Sequence, residues 1–506
     1  MASTSAKVSI GSLFSVLLVL IAFYFNQNGH SDFEQRLEET LNGLLRAEKK
    51  VSLSYKPKVA VGFGSCQDLF VHSKDVLLFN PPPKIPEHFH SISTQDELLK
   101  VFAYFFRHGA AAERYIKNET LFKEVLELAS RANDVHWAIG GNAPVMAARF
   151  AKEGCDVLLG AQMTKGLKQF LPDEVIISGP FTEEDDIHIL LEYLAGERWG
   201  PYLASRANRF IVHNDHSNPH LMSIHGFVKH LETFNPNLLV VGGLQMMDNF
   251  PFQPQLRREK LMQVSEICSR LPQDTKVHFE MASFTEEALL HDIVDLIIPF
   301  ADSLGMNEQE LPNFYHILKY GNVTLISEAT PRVATVLDQM RDVFDILQET
   351  WKRSGQRKLT RLHVHTLAFQ AIMTEKDSSW KNTMSAAAKA ALTAHRHTCG
   401  SHRIDTAKAK LILDDAFTSS LRNDAKRIPV KSSRPVSCWD EGDREVCVAP
   451  VLVCTEVLQT GGGGVGEFPK LCNLLYCRTS TTSSCYFTAF LMLDVRVQTF
   501  PAKQQQ

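Results

Sequence analysis

VAVGFGSC, residues 59–66, opens on apolar and β-branched residues and closes on glycine and serine. A strand buried on both faces reads this way, as a continuous apolar run rather than an alternation. Comparable runs recur at DVLLGA (156–161), NLLVVGG (237–243), DLIIPFA (295–301), RLHVHT (361–366) and APVLVC (449–454). Between them lie amphipathic stretches such as KLMQVSEICSRL (260–271) and TVLDQMRDVFDILQETW (335–351). Buried strands alternating with helices predict an α/β fold, a large domain with a mostly parallel sheet flanked by helices. Ligands in such sheets sit beyond the carboxyl ends of the strands, so chemistry is sought just after each apolar run. Residues 75–120 and 180–225 are richer in charge and alternate more, which predicts a smaller α/β lid inserted into the body.

With 506 residues and 44% apolar content, the chain can bury a large core. A net charge of −4 offers no basic excess for a phosphate backbone, so nucleic acid is not an expected partner. Lys7 precedes VSIGSLFSVLLVLIAFYF (8–25), an uncharged run approaching the length of a bilayer span. No small-x-small cleavage site follows it, so residues 1–30 are expected to be a signal anchor on the endoplasmic reticulum membrane. The body would then lie in the lumen, or be secreted if the signal is cleaved. Residues 31–57 read as a helical stalk, from the charges and leucines of FEQRLEETLNGLLRAEKK (33–50). Asn118 in NET and Asn322 in NVT are possible glycan acceptors. Seven of the ten cysteines fall between Cys399 and Cys485; Cys438 and Cys447 would either bridge a hairpin or remain buried thiols.

Glu280 follows the strand KVHF, two residues past His278, and Asn307 and Glu310 follow SLGM. Two carboxylates at strand ends suit magnesium, which takes oxygen ligands and usually accompanies a nucleotide phosphate. On residue type alone, the reading of Glu280 as a hydrogen-bonded strand-end acid and of Glu310 as a helix N-terminal acid is the stronger of the two. In IGGNAPV (139–145) the glycines let a ligand approach the backbone and Asn142 can donate and accept towards hydroxyls, although a plain strand-to-helix turn has the same pattern. Asp68, Glu113 and His188 are scattered and would converge only through folding; acids accepting from hydroxyls suit a neutral polyol. HTCGSH, with His395, His397, Cys399 and His402, fits no zinc ligand spacing.

GAAAERYI (109–116), GGNAPV (140–145), DDIHILLEYLAGERWG (185–200), ANRFIVHNDHSN (207–218), VVGGLQMM (240–247), VHFEMAS (277–283), SLGMNEQEL (303–311) and RLHVHTLAFQA (361–371) occur in this order. Together they resemble the ADP-dependent glucokinases, particularly the membrane-anchored animal type, over residues 58–454. The resemblance implies a ribokinase-like fold and glycolytic transfer of the β-phosphoryl group of ADP to the 6-hydroxyl of glucose. It implies Mg2+ on Glu280 and Glu310, glucose on Asp68, Glu113, Gly141, Asn142 and His188, and ADP on Asn307, His365 and Thr366. Arg209 is a further candidate for the phosphates, and a monomer is expected. A phosphofructokinase is disfavoured because Glu113 would repel a sugar phosphate.

Two departures stand out. Gly64 occupies a position where the family usually has Asn. Beyond residue 454 the family continues through Thr-Val-Gly-x-Gly-Asp, whose aspartate takes the proton from the sugar hydroxyl, whereas this chain has LQTGGGGVGE (458–467), with Glu467 in the aspartate's place. Residues 455–506 therefore read as a divergent segment, and the alternative function is an impaired protein that binds glucose or nucleotide without phosphoryl transfer.

Overall fold

A computed structural model of the chain describes residues 32–50, 55–79, 85–324, 328, 330–401, 403–423 and 425–456. Its main element is a ten-stranded sheet in the order Val175–Ile177, Asp156–Gly160, Lys58–Gly62, Leu238–Val241, Lys276–Glu280, Ser303–Asn307, Arg361–His365, Phe369–Glu375, Arg444–Pro450, Ser437–Glu441. The first seven run parallel and the last three add antiparallel at one edge.

Successive side chains of a strand point to opposite faces, and both faces here are apolar and covered. Ala60, Leu239 and Val241 join a core under helices Ile224–Phe234, Leu256–Arg270, Glu287–Leu296, Glu310–Tyr320 and Val333–Ser354. Val59, Val61, Leu238 and Val240 face helix Asn142–Lys152 on the other side. Each such fully buried Leu, Val or Phe contributes about 1.5–3 kcal/mol relative to exposure, which is why continuous apolar runs specify central strands.

One of those runs misled. DLIIPFA (295–301) is not a strand: it finishes helix Glu287–Leu296 and turns through a 3-10 segment, Ile298–Phe300. Pro299 lacks the N–H a central strand needs, and the strand starts only at Ser303. The expected stalk is also corrected in part. Residues 32–48 form a helix, but Leu37, Leu44 and Ala47 are buried with the alanines of helix Thr383–Thr398. Gly43 permits this docking, because a Cβ there would lie 2.4 Å from Pro435 Cδ. The apolar run at 8–25 lies outside the described residues, among which no helix is long and apolar enough to cross a membrane.

Disulfides join Cys438 to Cys447 and Cys399 to Cys454, so Cys399 of HTCGSH bonds sulfur rather than forming part of a metal site; His402 lies outside the described residues. Asn118 caps helix Glu119–Arg131, its side-chain oxygen accepting from Leu121 N.

From the end of Lys58–Gly62 the chain passes through Phe63–Ser65 into a second sheet. Its six strands run in the order Ser91–Ile92, Ala112–Ile116, Asn208–His213, Ile187–Tyr193, Cys66–His72, His136–Gly140. Gly64 makes the passage with φ +83°, and a Cβ there would meet Asn218 Oδ1 at 3.2 Å. Helix Gln95–His108 covers one face of this sheet and starts on a capping box between Thr94 and Glu97.

Candidate active site

The period-two rule sorts the smaller sheet's side chains. Leu69, Val71, Ile189, Leu191, Phe210, Val212, Ala112 and Ile116 pack under the helices. Their strand neighbours Asp68, His188, Arg209, His213 and Glu113 therefore emerge on the opposite face. Register aligns them: Asp68 pairs with His188, and His188 pairs with His213. Glu113 Oε1 lies 3.4 Å from His188 Nδ1. Three residues scattered over 120 positions of sequence thus meet on one patch, beside an arginine.

His213 and Asp215 complete the patch and were not singled out from the sequence. Asp215 Oδ1 is 2.9 Å from His188 Nε2 and 3.1 Å from His213 Nδ1. The available signal was polar residues at alternating positions of a buried strand in RFIVHND. Burial opposes a charge on His188, but the carboxylates of Asp215, Glu113 and Asp68 hold its pKa up to about 10. Burial works against the Asp215 carboxylate too, and the two imidazoles nonetheless hold it well below the usual range.

Gly140 explains how Asp68 is seated. A Cβ at 140 would lie 1.9 Å from Asp68 Oδ1, so only hydrogen fits between them. Gly141 follows with φ +86° and leads into the helix that starts at Asn142. A Cβ on Gly242 would touch both Glu280 Cβ, at 3.6 Å, and Asn142 Cβ, at 4.0 Å, which places Asn142 beside Glu280.

Glu280 ends its strand and Glu310 opens the helix after the neighbouring strand; both are buried. Asn307 ties Glu310 in place. Its backbone N–H donates to Glu310 Oε2 at 2.9 Å, and its Nδ2 to Oε1 at 2.8 Å. Behind Glu280, His278 Nε2 lies 3.3 Å from Oε2 while its Nδ1 meets Ser303 Oγ at 2.9 Å. Arg361 in turn donates to Ser303 Oγ at 2.9 Å. Burial and the repulsion of Glu310 push the Glu280 pKa well above the carboxylate range, with Arg361 opposing. Burial pushes Glu310 up to about 8, against the Asn307 backbone hydrogen bond that lowers it. Two buried oxygen donors whose charges resist each other form a donor set that fits a divalent cation.

His365 ends the strand beside Asn307 and is paired with it in register. Burial lowers its pKa to about 4, so the ring is neutral. Thr366 Oγ1 donates to Phe369 O and accepts from Phe369 N, which fixes the hairpin turn rather than leaving the hydroxyl pointing outward. Loops beside the two sheets also touch: Arg206, just before strand Asn208–His213, donates to Glu308 at 3.4 Å, two residues before Glu310. A small cleft lies at this junction, lined by Phe105 and Ala112 on one side and by Thr285, Gln309 and Glu310 on the other. Glu467 lies outside the described residues.

The conserved region of the ADP-specific phosphofructokinase/glucokinase family matches residues 57–464. The chain belongs to that family. Both halves of the site fall inside the matched residues, while Glu467 lies three positions beyond them. ADP-dependent glucokinase of Bos taurus is 32% identical over 414 residues, covering 80% of this chain and 82% of the bovine protein. A probable ADP-dependent glucokinase of Caenorhabditis elegans is 28% identical over 480 residues, 92% of this chain and 93% of that one. Among solved structures, an ADP-dependent kinase in complex with fructose-6-phosphate and ADPβS superposes with TM-score 0.59 at 16% identity, covering 91% of this chain and 97% of that one. The fold is thus the ribokinase-like α/β arrangement of this family of kinases, as the sequence implied.

Proposed function

We propose that the chain is a magnesium-dependent kinase that transfers the β-phosphoryl group of ADP to the 6-hydroxyl of glucose, releasing glucose 6-phosphate and AMP. The observation that carries this is the convergence of Glu280 and Glu310, buried at neighbouring strand ends and repelling each other, with Asn142 beside Glu280. Phosphoryl transfer depends on positioning and charge neutralisation more than on covalent chemistry. Magnesium on Glu280 and Glu310, when bound, would neutralise charge on the phosphoryl oxygens. Asn307 orients Glu310 through two hydrogen bonds, and His278 supports Glu280. Asp68, Glu113, Gly141, Asn142 and His188 hold the sugar; Asn307, His365 and Thr366 form the nucleotide side, with Arg209 towards the phosphates. Glu467 is assigned the proton of the sugar hydroxyl as its oxygen bonds to phosphorus and the bond from phosphorus to AMP breaks. The six-stranded sheet acts as a lid, and its Arg206 to Glu308 contact supports closure over the large sheet.

Glucose is favoured over a sugar phosphate because Glu113, Asp68 and Asp215 crowd the sugar face with negative charge. With ADP and magnesium present, turnover of glucose should exceed that of fructose 6-phosphate by at least ~10²-fold, a like-charge contact costing several kcal/mol. A preference for fructose 6-phosphate would overturn this choice of substrate. Gly140→Ala should weaken glucose binding by about 10-fold or more, since the methyl group must move Asp68 from its seat and lose a hydrogen bond to the sugar. Glucose titration of the variant checks this, and unchanged affinity would remove Asp68 from the sugar site. The body is placed in the lumen of the endoplasmic reticulum, as a monomer anchored through residues 8–25; two disulfides suit that oxidising compartment.

A further inference from the structure

Asp215 is fully buried beneath His188. A buried carboxylate is tolerated only where donors surround it. Here three side chains surround it, and two of them, His188 and Asn218, are hydrogen-bonded to it. His188 Nε2 and His213 Nδ1 face Oδ1 at 2.9 and 3.1 Å, and Asn218 Nδ2 donates to Oδ2 at 2.8 Å. Asn218 is itself clamped to the passage between the two sheets, accepting from Ser65 N at 2.9 Å and donating to Ser65 O at 3.0 Å. The same amide oxygen occupies the space beside Gly64, so the missing side chain at that position leaves a packed contact rather than a gap.

The other nitrogen of His188, Nδ1, faces a second carboxylate, Glu113, at 3.4 Å. A ring with a carboxylate at each nitrogen carries a proton on both, because a carboxylate offers only acceptors. We propose that Asp215 is a positioning residue that fixes His188 as a doubly donating imidazolium, with Nδ1 turned to the sugar side, so that glucose capture is constant across neutral pH. This rests on the reading of that face as the glucose site.

The carboxylates around the ring set its sign, against the burial that opposes a charge. Asp68 and Cys66 face it from strand Cys66–His72, Glu113 from Ala112–Ile116, His213 from Asn208–His213, and Asp215 from the turn beyond, while Arg209 pairs with Glu192 at the far end of its strand. Three carboxylates thus face the ring, and His188 stays charged to about pH 10 although burial opposes it. In Asp215→Asn the amide can no longer stabilise the charge, and the imidazole should titrate nearer its ordinary value of about 6.5.

The test is glucose affinity of the full chain, by calorimetric titration without nucleotide, at steps between pH 6 and pH 9. The parent should be flat. Asp215→Asn should bind about 10- to 100-fold more weakly at pH 8, the worth of a charge-assisted hydrogen bond, and recover towards parent affinity near pH 6. Asp215→Glu should restore much of the flat profile. His188→Gln should bind weakly at every pH. A parent affinity that falls between pH 6 and pH 8 overturns the proposal without any variant, as does a flat, undiminished Asp215→Asn. If His188→Gln and Glu113→Gln both keep parent affinity, the glucose site itself has been misplaced, a failure distinct from that of Asp215.

Discussion

Replacing Glu280 and Glu310 together by glutamine is expected to abolish turnover, by ~10³-fold or more, while making the metal-free protein harder to unfold. The loss follows from the removal of both anionic oxygen donors, leaving nothing to hold a cation against the phosphoryl oxygens. The gain in stability follows from linkage. Glu310 titrates at about 8 in the folded chain against an ordinary 4.5, chiefly because of burial. Between those values the native state holds a proton that the unfolded state has released, so stability falls as pH rises from 4.5 to 8. Below 4.5 both states are protonated and there is no penalty. Glu280 is shifted in the same direction, by burial and by Glu310. Glutamine carries no charge to bury, so the double variant should gain on the order of 2 kcal/mol at pH 8 without magnesium. Thermal melts in chelator at pH 5 and pH 8 check this: the gain should be larger at pH 8. A variant less stable than its parent at both would mean that the two acids are structural.

Reduction of the bond between Cys399 and Cys454 should produce the second large effect. It closes a loop across a sequence separation of 55, joining the end of helix Thr383–Thr398 to strand Leu452–Cys454. Chain entropy alone assigns about 4 kcal/mol to a loop of that size. Cys438 and Cys447, only 9 apart and already opposite each other in a hairpin, should contribute less, about 3 kcal/mol. Denaturant unfolding of Cys399→Ser with Cys454→Ser, beside Cys438→Ser with Cys447→Ser, tests the order. Equal, small losses would contradict it. Residue 454 also leads directly into the segment that carries Glu467, so turnover of the first variant should be recorded with its stability.

Much of the fold was legible because apolar runs specify doubly buried strands. VAVG, DVLLG, LLVV and RLHVH all became strands of the large sheet. DLIIPFA failed for the reason that short apolar runs are ambiguous between a strand and a helix end, and Pro299 was the discriminating residue. The helix at 32–48 was legible as a helix but its docking was not, because the leucine stripe that packs on the alanines of Thr383–Thr398 looks the same on a solvated stalk. In the site, Glu280 and Glu310 could be placed from strand ends alone. Asp68, Glu113 and His188 needed the resemblance, since nothing local brings three strands into register. Asp215 and Asn218 carry no motif of their own; only the sheet shows that the turn after His213 folds back under His188. The pairing of Cys399 with Cys454 depended in the same way on tertiary structure, because spacing alone does not fix disulfide partners.

The most direct measurement is the product balance of the full chain given glucose, ADP and magnesium, read by phosphorus NMR beside the Glu280→Gln and Glu310→Gln variant. Glucose 6-phosphate and AMP appearing in equal amounts, and in neither case from the variant, is the predicted result. Glucose binding without any glucose 6-phosphate, or the same yield from parent and variant, would contradict phosphoryl transfer at this pair of carboxylates.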